Sequence, residues 1–337
     1  MRFGATPLSE AEGGILAHSL RLEGRRLAKG KFLTSEDIND LGAAGFSTVV
    51  VAFPDEGDVG EDMAACALAE AIVAGQNATG LRLTTAHTGR VNLIAEGPGV
   101  LVVDREKVNQ INGIDAGVTL ATLAPMTRVS KGLLAGTVKM IPYAVPGDAL
   151  AEAVEIAPGA LRVAPVITRR AGLILTEVTG QKKTLNDKGV RAVLQRCEAL
   201  GIALDDVRTV PHGTDTIAEA LTVITGEVVM ILTGSATSDS RDTAPAAVRR
   251  AGGRVDRFGL PVDPGNLLFL GQLGDKRHVI GLPGCARSPA LNGADWVLER
   301  VACGMPPSDR DFAEMGVGGL LKEIPIRPQP REASRKG

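Results

Sequence analysis

The chain has 337 residues, enough for two hydrophobic cores at the usual domain size. Apolar residues make up 44% and charged residues 23%, which excludes a disordered polar chain. Against 39 acidic side chains stand 37 basic ones, so no overall basic field exists to hold nucleic acid.

Glycine is abundant, at 41 residues, which calls for many tight turns. Aromatics are only 3%, so the cores must rest on Ala, Val, Leu and Ile. The four cysteines, Cys66, Cys197, Cys285 and Cys303, form no CxxC pair and no disulfide framework. Four histidines are too few for a histidine-rich metal site. No apolar run reaches the roughly 18 residues of a membrane span, and the N-terminus lacks a signal-type apolar stretch. These features predict a cytoplasmic protein with no membrane partner.

In chain order, the first half does not read as regular βα repeats. Gly24 to Gly30 is a basic hairpin-like stretch. Thr34, with Asp37 three residues on, predicts a capped helix over 35–44, closed by Gly45. The β-branched run 47–53 predicts a strand. An alanine-rich helix over 60–74 follows, ended by Gly75, Asn77 and Gly80. Residues 87–99 are extended, 101–103 a strand, 105–114 a helix and 136–143 a strand. Asp148 is the expected cap of a helix over 149–155. Ala157-Pro158-Gly159 marks the division between domains.

The second half alternates strands and helices at a period suited to a mostly parallel sheet. Strands are expected at 170–176, 207–210, 227–232, 254–258 and 279–282. Helices are expected at 186–200, 214–224, 243–251 and 289–303, with Asn186, Asp187 and Ser288 as caps and Trp296 on a packed face. Residues 315–320 are expected to return as an edge strand. The resulting organisation is a mixed α+β domain over 1–160, an α/β domain over 161–305, a glycine-rich return over 306–326 and a flexible tail over 327–337.

Chemistry concentrates in three loops. The strand 227–232 empties into Thr233, Gly234, Ser235, Ala236, Thr237, Ser238, Arg241 and Asp242, just before a helix. Ligands bind beyond the carboxyl ends of parallel strands, and backbone amides with a helix N-terminus favour an anion there. Asp242 is the catalytic candidate, or simply the cap of the helix at Thr243. The second loop holds Pro261, Asp263 and Gly265. Asp263 is a candidate Mg2+ contact alongside Asp242, or a turn former. The third loop holds Pro283, Gly284, Arg287 and Ser288. Cys285 beside them reads as a structural thiol more readily than as a nucleophile. His212 and Lys182 complete the candidate set for ligand contact.

The segments Thr233-Gly234-Ser235-Ala236 with Asp242, Pro283 to Ser288, and Pro261 to Asn266 resemble the molybdopterin-binding domain of molybdenum cofactor biosynthesis proteins. The resemblance covers about Val163 to Ala302. Gly30 to Gly45 with Val49-Val50-Val51 resembles the segment preceding that domain in molybdopterin molybdotransferases. Together with Gly89 to Asn92 and Leu291-Asn292-Gly293, the arrangement looks most like the N-terminal region of proteins fused to a molybdenum cofactor cytidylyltransferase. The resemblance implies a three-layer αβα domain with a mostly parallel sheet, preceded by a smaller mixed α+β domain. It also implies molybdopterin as ligand, Mg2+ and a nucleotide (ATP or CTP) where there is turnover, and a homo-oligomer, a dimer or trimer. The irregular first half is the expected contact surface, because a short mixed segment seldom buries enough alone. Other implied partners are a cytidylyltransferase domain or a molybdoenzyme. Two departures stand out. Family acids are replaced by Gln181-Lys182-Lys183 after the first strand, and by Pro211-His212-Gly213 after the second. Three functions follow as alternatives: a holder of molybdopterin or its nucleotide, an active transferase (pterin adenylation or molybdate insertion), or a regulatory protein that keeps only the fold.

Overall fold

The computed structural model describes residues 1–74, 79–180 and 183–321. Gly75, Asn77, Gln181, Lys182 and the tail 327–337 therefore lie outside the described residues. The described residues form two compact units, one within 1–97 and 101–164, the other within 98–100 and 165–321.

In the first unit, strands Arg2–Pro7, Thr48–Phe53 and Ile15–Leu16 form an antiparallel sheet with Thr48–Phe53 at its centre. Leu16, Leu27, Leu33, Leu41, Val49 and Val51 pack around it. Helix Ser35–Ala43 starts with the expected capping box of Thr34 and Asp37. The Asp37 side chain is fully buried. Burial alone would raise its carboxyl, yet the Lys31 ammonium and the Thr34 amide and hydroxyl hold it below the ordinary value. Arg25 also pairs with Asp37, so the basic hairpin Leu20–Leu22 with Arg25–Leu27 is tied to the helix start. A second core forms where helix Glu61–Val73 lays Ala64, Ala65, Leu68, Ala69 and Ile72 among Val91, Leu93, Leu120 and Val138. One correction concerns Asp148. The helix there runs Gly147–Ile156 with Pro146 at its cap, and Asp148 accepts from the Ala149 amide within the first turn.

The second unit is a six-stranded, largely parallel sheet. Its elements are β1 (Arg170–Glu177), α1 (Lys183–Leu200), β2 (Ala203–Pro211), α2 (Thr214–Val223), β3 (Val228–Leu232), α3 (Thr243–Arg250), β4 (Arg254–Phe258), β5 (Phe269–Gln272), β6 (His278–Leu282), α4 (Gly293–Ala302) and α5 (Asp309–Glu314). The strand order is β2-β1-β3-β6-β5-β4. Strands β2, β1, β3 and β6 run parallel, and β5 is antiparallel to both neighbours. Ile174, Val229, Ile231 and Val279 meet α2 and α3 on one face. Leu175 and Leu232 meet α1 at Gly189 on the other, where a Cβ would stand 2.7 Å from Leu232 Cδ2. Alternation along a strand buried on both faces produces these three layers. Gly281 serves a different need, because the Phe269 ring covers it and a Cβ would lie 1.9 Å from that ring.

Four expectations give way here. Helix α1 begins at Lys183, so Asn186 and Asp187 lie within its first turns and do not cap it. The last long helix starts only at Gly293, capped by Asn292 with Asp295. Ser288 instead closes a short 3₁₀ turn over Gly284–Arg287, because Pro289 and the extended stretch to Asn292 delay helix entry. Trp296 is only half-buried while its neighbours Asp295 and Val297 are buried. Residues 309–314 form helix α5, and the segment after it makes a single parallel bridge, Asp263 with Leu320, in place of an edge strand.

Helix α5 carries a pH-sensitive contact. Burial would raise the Asp311 carboxyl, but the Arg300 guanidinium at 2.6 Å and the Ser308 hydroxyl and amide bring it from 3.8 down to about 2. A depressed folded-state value means that the stabilisation is complete above about 3.8 and is lost as pH falls toward about 2. In urea titrations, Asp311→Asn is expected to be less stable than the wild type at neutral pH. The gap should close as pH falls through that window. A gap constant across it would show that the ion pair carries no linkage.

Candidate functional site

The path of the chain creates the crevice. From β1 it crosses to β2 on one side, then returns past β1 to β3 on the other. The carboxyl ends of β1 and β3 therefore part at a topological switch point, the usual ligand site of such sheets. Leu175, Leu232 and Leu282 stand level across the sheet, so the loops after β1, β3 and β6 leave from one edge.

Thr176 sits at the centre, fully buried near the end of β1. Its hydroxyl oxygen accepts from the Gly234 amide at 2.8 Å and lies 2.9 Å from His212 Nδ1. One buried hydroxyl thus joins the ends of β1, β2 and β3. Thr233 turns its own hydroxyl onto the Ser235 carbonyl at 2.5 Å, which folds the loop back on itself. Asp242 accepts from the Ser238 amide at 2.9 Å and from the Thr243 amide at 2.7 Å. The Ser238 amide, then the Thr243 amide and hydroxyl and the nearby charge of His212, hold its carboxyl below the ordinary value despite burial. Both Asp242 oxygens are therefore engaged in closing the loop and capping α3.

Arg287 reaches this cluster from the third loop. Its Nη2 donates to the Thr233 carbonyl at 2.9 Å. Its Nε is buried and has no partner, and burial pushes the guanidinium down from its ordinary value. Beside it, a cleft of about 640 Å³ opens between α1 and the turn over 284–289. Lys188, Arg191, Gln195, Arg287 and Ser288 line it, and no carboxylate among the described residues does. Such a lining favours an anion.

The structure brings Thr233, Gly234, His212, Asp242, Arg287 and Ser288 to one sheet edge. Pro283 is buried under the turn, and Gly284 and Ser288 are exposed at it. Ser235, Ala236 and Ser238 are exposed and Thr237 is buried. Arg241 turns outward and pairs with Asp239 at 3.0 Å. Pro261, Asp263 and Gly265 serve another junction. Gly265 packs on Gly293 and Asn292, the Pro264 carbonyl accepts from Gly293, and the Asp263 backbone pairs with Gly319 and Leu321. Among the described residues, no group of three or more His, Cys, Asp or Glu is arranged to hold a metal ion. Asp215, in the first turn of α2, pairs with Arg250 at 2.6 Å. Lys182 lies outside the described residues.

Sequence reading missed the residue that positions the third loop. Arg196, on the buried stripe of α1, donates to Asp295 at 2.7 Å and to the carbonyls of Ala192, Ala286, Ser288 and Ala290. An arginine between Ala192, Val193, Cys197 and Leu200 at helical spacing was the available signal. Asn292 adds a contact from its amide nitrogen to Cys285 Sγ at 3.1 Å.

Residues 172–301 match the family described as probable molybdopterin binding domain. The matched span runs from β1 to α4 and so includes the strands and loops of the switch-point crevice. Residues 5–53 match a domain of unknown function, which covers the hairpin, the capped helix and the first sheet. No curated protein matches the chain. No helix among the described residues is long and apolar enough to cross a membrane.

Proposed function

We propose that the second unit holds molybdopterin, or its nucleotide form, by the phosphate during molybdenum cofactor biosynthesis. The observation that carries this reading is Arg287, a half-buried cation with an orphaned Nε beside a cleft lined by Lys188 and Arg191. A phosphate supplies the acceptors this fork lacks. The residues thus fit a phosphorylated pterin. They fit Mg2+ poorly, because both Asp242 oxygens already accept backbone amides and no further acidic cluster forms among the described residues. This favours holding over transfer. Binding and orientation of the ligand are then what the chain's own residues contribute. The holder would pass its ligand to a cytidylyltransferase domain or a molybdoenzyme.

Titrating the full chain with molybdopterin, followed by pterin fluorescence with and without Mg2+ and ATP or CTP, tests this. Saturable binding without an adenylylated or cytidylylated product is expected. Asp242→Asn should leave affinity nearly unchanged. A product whose formation Asp242→Asn abolishes would replace the holder with a transferase, and no binding at all would remove both readings.

A further inference from the structure

The outer edge of the sheet is β2, a nine-residue strand whose residues alternate between exposed and half-exposed along its whole length. Edge strands of this length present a row of unpaired backbone groups and are usually protected. Here the protection sits at the ends, as a register shift near Asp205 and as Pro211. The stretch between them is open. The His212 amide donates inward to Glu177. By alternation, the backbone groups of residues 210, 208 and 206 also face β1, and those of Val207 and Thr209 face outward. Val207 and, on α2, Val223 are exposed apolar side chains, at 43% and 55%. A groove of about 650 Å³ runs between the strand and α2.

The strand is also close to self-complementary. Reversed about Val207, it sets Leu204 opposite Val210, Asp206 opposite Arg208 and Val207 opposite itself. Directly opposed residues of an antiparallel pair share a face, so these three pairings are apolar or oppositely charged, while Asp205 falls opposite Thr209 at the register shift. We infer that β2 pairs antiparallel with β2 of a second copy of this chain, about a two-fold axis at Val207, to make one continuous sheet of twelve strands. A two-fold interface requires that residue i meets j and j meets i, and the sequence around Val207 satisfies this. The Asp206–Arg208 contact within one chain, at 2.9 Å, shows the two side chains already on the same face. This proposal sets the interface in the second unit, whereas the sequence reading offered the first half as the contact surface.

Sedimentation of the full chain across micromolar concentrations decides the matter. The wild type is expected to run as a dimer. Val207→Lys, which sets two ammonium groups together on the axis, should run as a monomer that still melts cooperatively, at a temperature that no longer rises with protein concentration. A monomeric wild type, a larger assembly, or a dimer that survives Val207→Lys would overturn the proposal. Should the variant fail to fold, amide exchange of the wild type serves instead. Val207 and Thr209 should be protected when concentrated and exchange freely on dilution, and exchange independent of concentration would count against the pairing.

Discussion

Arg196→Met should destabilise the second unit by about 3–5 kcal/mol, the usual cost of removing one partner from a buried ion pair. The Arg196 side chain is only 6% exposed, and its donors reach one carboxylate and four carbonyls. Methionine fills similar volume but donates nothing. Asp295 would keep its bond from the Asn292 amide and lose its cation. The carbonyls of Ala286, Ser288 and Ala290 would lose the group that gathers them, and the turn that carries Arg287 would loosen. Urea denaturation followed by the single tryptophan, Trp296 on α4, reads the loss directly. The double variant Arg196→Met with Asp295→Leu should be less destabilised than the sum of its parts, because it removes the orphaned charge as well. A loss below about 1 kcal/mol for Arg196→Met would show that the pin is dispensable.

Much of the frame was readable in advance, for physical reasons that differ by element. Helix Arg105–Ile114 and strand Arg254–Phe258 appear where expected, and the Thr34 capping box was visible because a cap and its partner lie three residues apart. The loop 233–242 was visible as an abrupt change from a buried apolar strand to hydroxyls and charges. What the sequence hid depends on contacts between distant segments. Strand Phe269–Gln272 was overlooked because Gly271 interrupts its pattern, and that glycine is required where a Cβ would stand 2.4 Å from the Arg254 carbonyl. Arg196 reaches Asp295 across 99 positions of chain. Asp242 and Asp263 looked equivalent as loop carboxylates. Only the fold separates them, giving Asp242 to the switch point and the Asp263 backbone to residues 319–321. Similarly, His212 offered no local sign that Thr176 would hold it.

Arg287→Gln should weaken molybdopterin binding by about 10- to 100-fold, since charge-assisted hydrogen bonds contribute roughly 1.5–3 kcal/mol and each 1.4 kcal/mol is tenfold. Glutamine can still reach toward Thr233, but it brings no charge. The fold itself should gain slightly or stay level. In the free protein burial disfavours the charged guanidinium, and its Nε has no acceptor among the described residues, so its removal relieves a cost. This combination distinguishes a ligand-binding cation from a structural one. Loss of affinity with unchanged or improved stability is the signature of a group held ready for an anion. Salt sharpens the test, because the wild-type affinity should fall with ionic strength more steeply than that of the variant. Isothermal titration at two salt concentrations, paired with a urea midpoint for each protein, supplies all the required numbers. If Arg287→Gln instead unfolded the second unit while any remaining folded fraction bound normally, the guanidinium would be a brace for the Thr233 carbonyl. The anion would then have to be held by Lys188 and Arg191 alone.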